Sequence, residues 1–117
     1  MAGVATQNSL PKKVAQAPQR VYTVNVSMLV AATEYSYQLP IGTNKFTIKL
    51  RSTTATMQLY IGGETDTGNT DTTYIQVEAG SNYWDENLNT EYGTTLYFQS
   101  PTSGQVAEIV VWQNLSC

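Results

Sequence analysis

The sequence contains no histidine, and this removes most of the chemistry that small enzymes use. Catalysis that pairs Ser or Cys with a His base needs that residue, and so do metal centres with imidazole ligands. Two carboxylates can act on a glycosidic bond without it, and Asp85 and Glu86 are adjacent acids. Neighbouring residues of an extended chain point to opposite faces, however, so these carboxylates do not converge. We therefore expect no enzymatic activity and no cofactor.

A second chemical arrangement is the polar segment from Glu64 to Thr73, which places oxygen-bearing side chains at alternate positions around Gly68. Calcium is bound by loops of carboxylate, hydroxyl and carbonyl oxygens. The bidentate Glu that closes an EF-hand loop is missing here. The segment therefore fits either a calcium loop or an ordinary exposed loop, and the ordinary loop is the favoured interpretation.

Tyrosine is the most frequent aromatic side chain, with eight copies in 117 residues. Tyr60, Tyr74 and Tyr97 are out of phase with the apolar residues of their predicted strands, so we expect them on an outer face. Outward rings suit a protein contact, a platform that stacks on sugars, or cross-strand pairing that only stabilises the sheet. The pattern alone leaves these three alternatives open.

The elements that must position these residues are β-strands. Apolar and polar residues alternate with period two in several short segments separated by turn residues, most regularly from Phe46 to Arg51. The last strand also carries Val110 and Trp112 on its second face, so it is either buried on both sides or ends at a contact. The inward positions predict a core of Val24, Val26, Phe46, Ile48, Leu50, Met57, Leu59, Ile61, Ile75, Val77, Leu96, Phe98, Ile109 and Val111.

The number and spacing of these segments predict an all-β fold, a β-sandwich of seven or eight strands. The single cysteine, Cys117, excludes the Cys–Trp–Cys framework of immunoglobulin domains, which favours a jelly-roll-like sandwich. No segment approaches the roughly 20 apolar residues of a membrane span, and the opening residues contain no apolar signal core. We therefore expect no membrane partner.

Charge divides the chain into two parts. Residues 1–20 contain Lys12, Lys13 and Arg20 without an acid, whereas the stretch from Ser52 onwards contains acids without a single Lys or Arg. Because Pro11 and Pro18 interrupt the first part, we expect an extended N-terminal arm over residues 1–20 and a sandwich domain over residues 21–117. Three cations are too few for the counterion release that drives nucleic-acid binding.

The arm has two interpretations, a disordered tail or a segment that orders on a partner protein. In the second, backbone pairing and burial of Val4, Leu10, Val14 and Val21 would offset the entropy of ordering. Lys12, Lys13 and Arg20 would steer the arm towards an acidic surface.

The second half of the chain carries a resemblance to a known class of proteins. The segments are Tyr74–Gly80, Thr95–Thr102 and Val106–Trp112, within a region of about residues 45–113. They resemble small structural proteins of tailed-bacteriophage virions, of the type that decorates or cements the capsid. The resemblance implies a virion-located homo-oligomer that contacts the major capsid protein or another virion protein. A carbohydrate-binding module of a phage head or tail fibre is the alternative.

Overall fold

The computed structural model describes residues 19–63, 65–88, 90 and 93–115, which form an all-β sandwich without a helix. Eight strands lie within these ranges, in agreement with the predicted fold class. They are β1 (Gln19–Met28), β2 (Tyr35–Leu39), β3 (Thr43–Leu50), β4 (Met57–Gly62), β5 (Ile75–Val77), β6 (Asn82–Glu86), β7 (Thr94–Gln99) and β8 (Gln105–Asn114).

The strands form two four-stranded antiparallel sheets. The first sheet has the order β1-β8-β3-β6, and the second sheet has the order β2-β7-β4-β5. Along the chain, strands alternate between the sheets except at β4 and β5, which are neighbours in the second sheet. Strand pairs are therefore nested around the β4–β5 loop: β4 with β5, β3 with β6, β2 with β7 and β1 with β8.

The core lies between the two sheets and follows the predicted alternation. Phe46 and Ile48 from the first sheet and Leu59 and Phe98 from the second are almost fully buried. The other predicted core residues that are buried are Leu50, Met57, Val77, Leu96, Ile109 and Val111, and the half-buried Val24, Val26 and Ile61 pack against them. Met28 and Leu39, at the ends of their strands, are also buried.

The prediction was wrong for Ile75, whose side chain is 44% exposed. Ile75 lies opposite Leu59 and therefore on the inward side of the second sheet. Its strand is only three residues long and stands at the edge of the sheet, with β4 as its neighbour in the described chain. Val77, which lies on the same strand and the same face, is buried, so alternation gives the face of a residue but not its burial along an edge strand.

The last two residues of the predicted arm belong to the sandwich. Gln19 and Arg20, which the sequence assigned to the arm, form the start of β1. The Arg20 guanidinium lies 4.6 Å from the centre of the Tyr22 ring. The predicted contact residues Val4, Leu10, Lys12, Lys13 and Val14 lie outside the described residues.

An ion-pair cluster crosses the outer face of the first sheet. The Glu108 carboxylate on β8 accepts hydrogen bonds from Lys49 Nζ at 3.0 Å and from Arg51 Nε at 2.6 Å. Hydrogen bonding by Arg51, and then by Lys49, lowers the pKa of the Glu108 carboxyl below its ordinary value. Both ion pairs of the described chain therefore use this carboxylate.

Truncating either buried phenylalanine tests the core. We expect Phe46→Ala and Phe98→Ala each to lower the free energy of unfolding by about 3–5 kcal/mol, because the lost contacts leave a cavity. Urea unfolding followed by circular dichroism measures this. Tyr74→Ala is the control, since that ring is 43% exposed and its removal should cost about 0.5 kcal/mol or less. Near-unchanged unfolding of both Phe variants would contradict the packing.

The Glu108 cluster predicts a pH dependence. The folded-state pKa is lowered relative to the ordinary 4.5, so the ionised carboxylate stabilises the fold above that pH. The stabilisation is lost as the pH falls through the lowered pKa. We expect Glu108→Gln to melt below the wild type at neutral pH, and the two melting temperatures to converge in acid. Glu78→Gln, an exposed acid outside these ion pairs, is the control, and a difference that persists unchanged in acid would contradict the assignment.

Candidate functional site

Tyr60 and Tyr97 lie on the outer face of the second sheet, as the sequence predicts. They are directly opposite each other on β4 and β7, and their ring centroids are 6.0 Å apart. Both rings are half-buried. A cross-strand aromatic pair of this kind stabilises a sheet. It lies on the outer face, where the sequence also allows a protein contact or a platform that stacks on sugars.

The loop that follows β4 lies against this tyrosine pair. The Tyr97 hydroxyl donates a hydrogen bond of 2.7 Å to the carbonyl oxygen of Asp66. Gly68 has φ +89°, and a Cβ at this position would lie 2.6 Å from Tyr97 Cδ1 and would also clash with the Glu34 carboxylate. Only glycine permits this approach of the backbone. The chain's own loop therefore covers part of Tyr97, whereas Tyr74, at the other end of the loop, is 43% exposed.

The described acids around this loop, Asp66, Asp71 and Glu34, each accept hydrogen bonds from different partners. Asp66 Oδ2 accepts from the Gly63 amide at 2.7 Å, and Asp71 Oδ1 accepts from Gln99 Nε2 at 2.9 Å. Glu34 Oε1 accepts from both the amide and the hydroxyl of Thr70 at 3.3 Å. Within the described ranges, no three His, Cys, Asp or Glu side chains come together as metal ligands. The acids instead tie the loop to the second sheet and to the β1–β2 connection.

Asp85 and Glu86 do not form a catalytic pair, because β6 directs them to opposite faces. Glu86 lies opposite Lys45 on the outer face, and Asp85 lies opposite Phe46. Burial raises the pKa of the neighbouring Tyr83, and the charge of Asp85 adds to this. The geometry therefore agrees with the extended backbone predicted for these acids.

One end of the sandwich is built from four loops whose charged residues, Glu34, Arg51 and Glu78, all lie next to a strand, so that the rest of each loop carries no charge. We call the segments 29–33, 52–56, 79–81 and 100–104 the uncharged end, because none of them contains Asp, Glu, Lys or Arg. The Ala32 amide donates to the Ser100 carbonyl at 2.8 Å, and the Ser100 hydroxyl donates to the Thr56 carbonyl at 2.8 Å. A Cβ on Gly80 would lie 3.8 Å from the Thr53 carbonyl oxygen. Four loops that are distant in sequence thus form one surface.

The uncharged end presents two large apolar side chains. Leu29 is 71% exposed and Val30 is 59% exposed. Their loop is held in place, since the Val30 amide donates to the Tyr35 hydroxyl at 3.0 Å. Sequence reasoning missed these residues because it looked for alternation, whereas the available signal was an unbroken apolar run from Met28 to Ala32.

Exposed aromatic rings also occupy the outer face of the first sheet. Trp84 on β6 is 53% exposed, and Trp112 on β8 is half-buried. Lys45 on β3 lies between them, with its Nζ 5.8 Å from the Trp84 ring centre and 4.6 Å from that of Trp112. Trp112 and Val110 are only half-buried on this outer face, so in the described residues the last strand is not buried on both sides. The other interpretation, that the strand ends at a contact, stays a prediction.

In the part of the chain that the structure describes, there is no helix long and apolar enough to cross a membrane.

Comparison with known proteins adds little to this geometry. The chain matches no family model, and no curated protein matches it significantly. One solved structure, described as a de novo designed double-stranded beta-helix and determined by NMR in solution, is similar with a TM-score of 0.46 and 17% identity. The match covers 80% of this chain and 99% of the designed chain. A score at this level supports no functional argument, so the function has to be inferred from the surfaces described above.

Proposed function

We propose that this chain is a structural protein of a virion, a capsid decoration or cement subunit that binds the capsid lattice through protein–protein contacts. The observation that carries the proposal is the uncharged end with its exposed Leu29 and Val30. Interface centres are depleted of charge, because burying an unpaired charge is costly. A surface made of Ser, Thr, Ala and Gly around an apolar tip can be covered by another protein at a low desolvation cost.

The strand order supports the same proposal at the level of architecture. We propose that the sandwich is a jelly roll, since nested pairs from β1/β8 to β4/β5, divided between two sheets, fit an eight-stranded double Greek key. Viral capsid domains use this architecture, and so do lectins and cupins. The architecture is an analogy and does not by itself specify a function.

The predicted N-terminal arm could form a second contact with the capsid or with a neighbouring subunit. Eighteen residues can extend over at most about 60 Å, whereas the ten residues of β1 span about 33 Å. An arm that enters the sandwich at Gln19 is therefore long enough to reach past it to a neighbouring subunit. Lys12 and Lys13 would favour an acidic neighbour, such as the face that carries Asp66 and Asp71 in another copy.

Binding to capsids of the virus that encodes the chain tests the proposal. We expect the purified protein to co-sediment with capsids, and the double substitution Leu29→Ser/Val30→Ser to weaken the affinity at least about tenfold. Both side chains are exposed, so the melting temperature should hardly change. Removing residues 1–18 should weaken the affinity independently if the arm is the second attachment.

The matched control is Ile41→Ser/Leu115→Ser. These side chains are 68% and 41% exposed and lie at the opposite end of the sandwich, so their removal should leave the affinity unchanged. Capsid binding that survives the Leu29/Val30 change but not the control would assign the attachment to the other end. A wild-type protein that does not bind capsids at all would refute the function.

A further inference from the structure

A small cavity opens on the outer face of the first sheet, at the end where β1 begins. Its volume is about 170 Å³. Its walls carry three amide side chains, one ammonium group, one carboxylate and one indole. They belong to Gln19, Asn44, Lys45, Glu86, Asn87 and Trp112.

Three neighbouring strands supply the indole and the two charges in one row. Trp112 on β8 lies opposite Lys45 on β3, and Lys45 lies opposite Glu86 on β6. The Lys45 ammonium rests 4.6 Å from the centre of the Trp112 ring. The ion pairs of the described chain join Glu108 to Lys49 and Arg51, so neither of them engages Lys45. The row thus offers one donor and one acceptor of opposite charge beside an aromatic wall.

Asn114 holds two of the amides in a fixed orientation. Its backbone amide donates to the Gly42 carbonyl at 2.8 Å, which anchors the end of β8. Its Oδ1 accepts hydrogen bonds from Gln19 Nε2 at 3.1 Å and from Asn44 Nδ2 at 3.2 Å. Because both amide nitrogens turn towards Asn114, the carbonyl oxygens of Gln19 and Asn44 point away from it and remain acceptors for a ligand.

The third amide is placed by a turn at the end of β6. Asn87 has φ +60°, in the left-handed region that Asn tolerates better than most residues. The Leu88 amide donates to the Asn44 carbonyl at 3.1 Å, which ties this turn to β3. The backbone therefore sets the Asn87 side chain at the rim of the cavity, on the side facing Asn44.

We propose that this cavity binds one ring of a neutral saccharide. The Trp112 indole, with the Lys45 ammonium over its ring, forms one wall for a sugar ring, and amide, ammonium and carboxylate groups pair with hydroxyls as donors and acceptors. Pockets for drug-sized ligands begin at about 300 Å³, so this cavity suits a single ring. Lys45 and Glu86 balance each other, which gives no preference for an anion such as phosphate.

The saccharide site is separate from the proposed attachment through the uncharged end. It lies beside Gln19 and Asn114, at the end opposite the uncharged loops. A subunit held by the uncharged end would therefore not bury the cavity in that contact. Tyr60 and Tyr97, the other candidate surface for sugar binding, lie on the second sheet. Binding at the cavity can therefore be distinguished by experiment from binding at these tyrosines.

The test is a titration of the ¹⁵N-labelled full chain, observed by NMR, with the methyl glycosides of glucose, galactose, mannose and N-acetylglucosamine. We expect at least one glycoside to shift the indole N–H signal of Trp112 and the side-chain amides of Asn44 and Asn87. The Trp84 indole signal should move little. Sodium phosphate and sodium acetate, titrated in parallel, should produce no saturable shift at Trp112.

Two variants distinguish a site from a chance contact. Asn87→Gly keeps the left-handed backbone, since glycine adopts positive φ readily, and it should weaken binding about tenfold by removing one amide. Trp84→Ala removes an indole that contacts the same ammonium without lining the cavity, and it should bind like the wild type. The proposal is overturned if no glycoside shifts Trp112, if phosphate or acetate saturates there, or if the two variants bind equally well.

Discussion

The antiparallel pairing of β1 with β8 is the constraint on which the rest of the domain depends. It runs from Gln19 opposite Asn114 to Met28 opposite Gln105, and it joins side chains 95 residues apart in sequence. Because β8 also pairs with β3, its register decides which residues of the first sheet face inward. A slip by one residue would move Ile109 and Val111 out of the core and turn Trp112 into it.

The same nested pairing explains why the surfaces of interest are composite. Each end of the sandwich collects loops from distant parts of the chain, since successive strands cross between the sheets. The uncharged end needs β1, β3, β5 and β7 to finish at the same level before its four loops meet. Such non-local contacts make folding slow compared with a helical bundle. The same non-local contacts bring together side chains that are far apart in sequence.

Sequence periodicity predicted the parts of the structure that follow from alternation alone. It placed Phe46, Ile48, Leu59 and Phe98 inside, and it placed Tyr60 and Tyr97 on an outer face. It could not predict the exposure of Ile75, because burial changes along the edge strand of the second sheet, where Val77 on the same face is buried. Alternation defines the two faces of a strand but carries no information about its neighbours.

The candidate sites were less accessible to sequence reasoning for a related reason. The loop against Tyr97 depends on a backbone approach at Gly68 that leaves no periodic signal. The orientation of Gln19 and Asn44 depends on Asn114, which is distant from both in sequence. The apolar run at Leu29 was visible in the sequence, but its possible role became apparent only from the uncharged segments that lie beside it in space. Sites of this kind become recognisable only when the sheet order is known.

The contact between Gln19 and Asn114 has a consequence for how the domain can be connected to other polypeptides. With Gln19 Nε2 only 3.1 Å from Asn114 Oδ1, the first and last described strands have their outer ends side by side. Domains with adjacent ends tolerate circular permutation and insertion into host loops. A short linker could therefore join residue 115 to residue 19, with new termini opened in a solvent-exposed connection. A cargo fused at this junction would project away from the uncharged end.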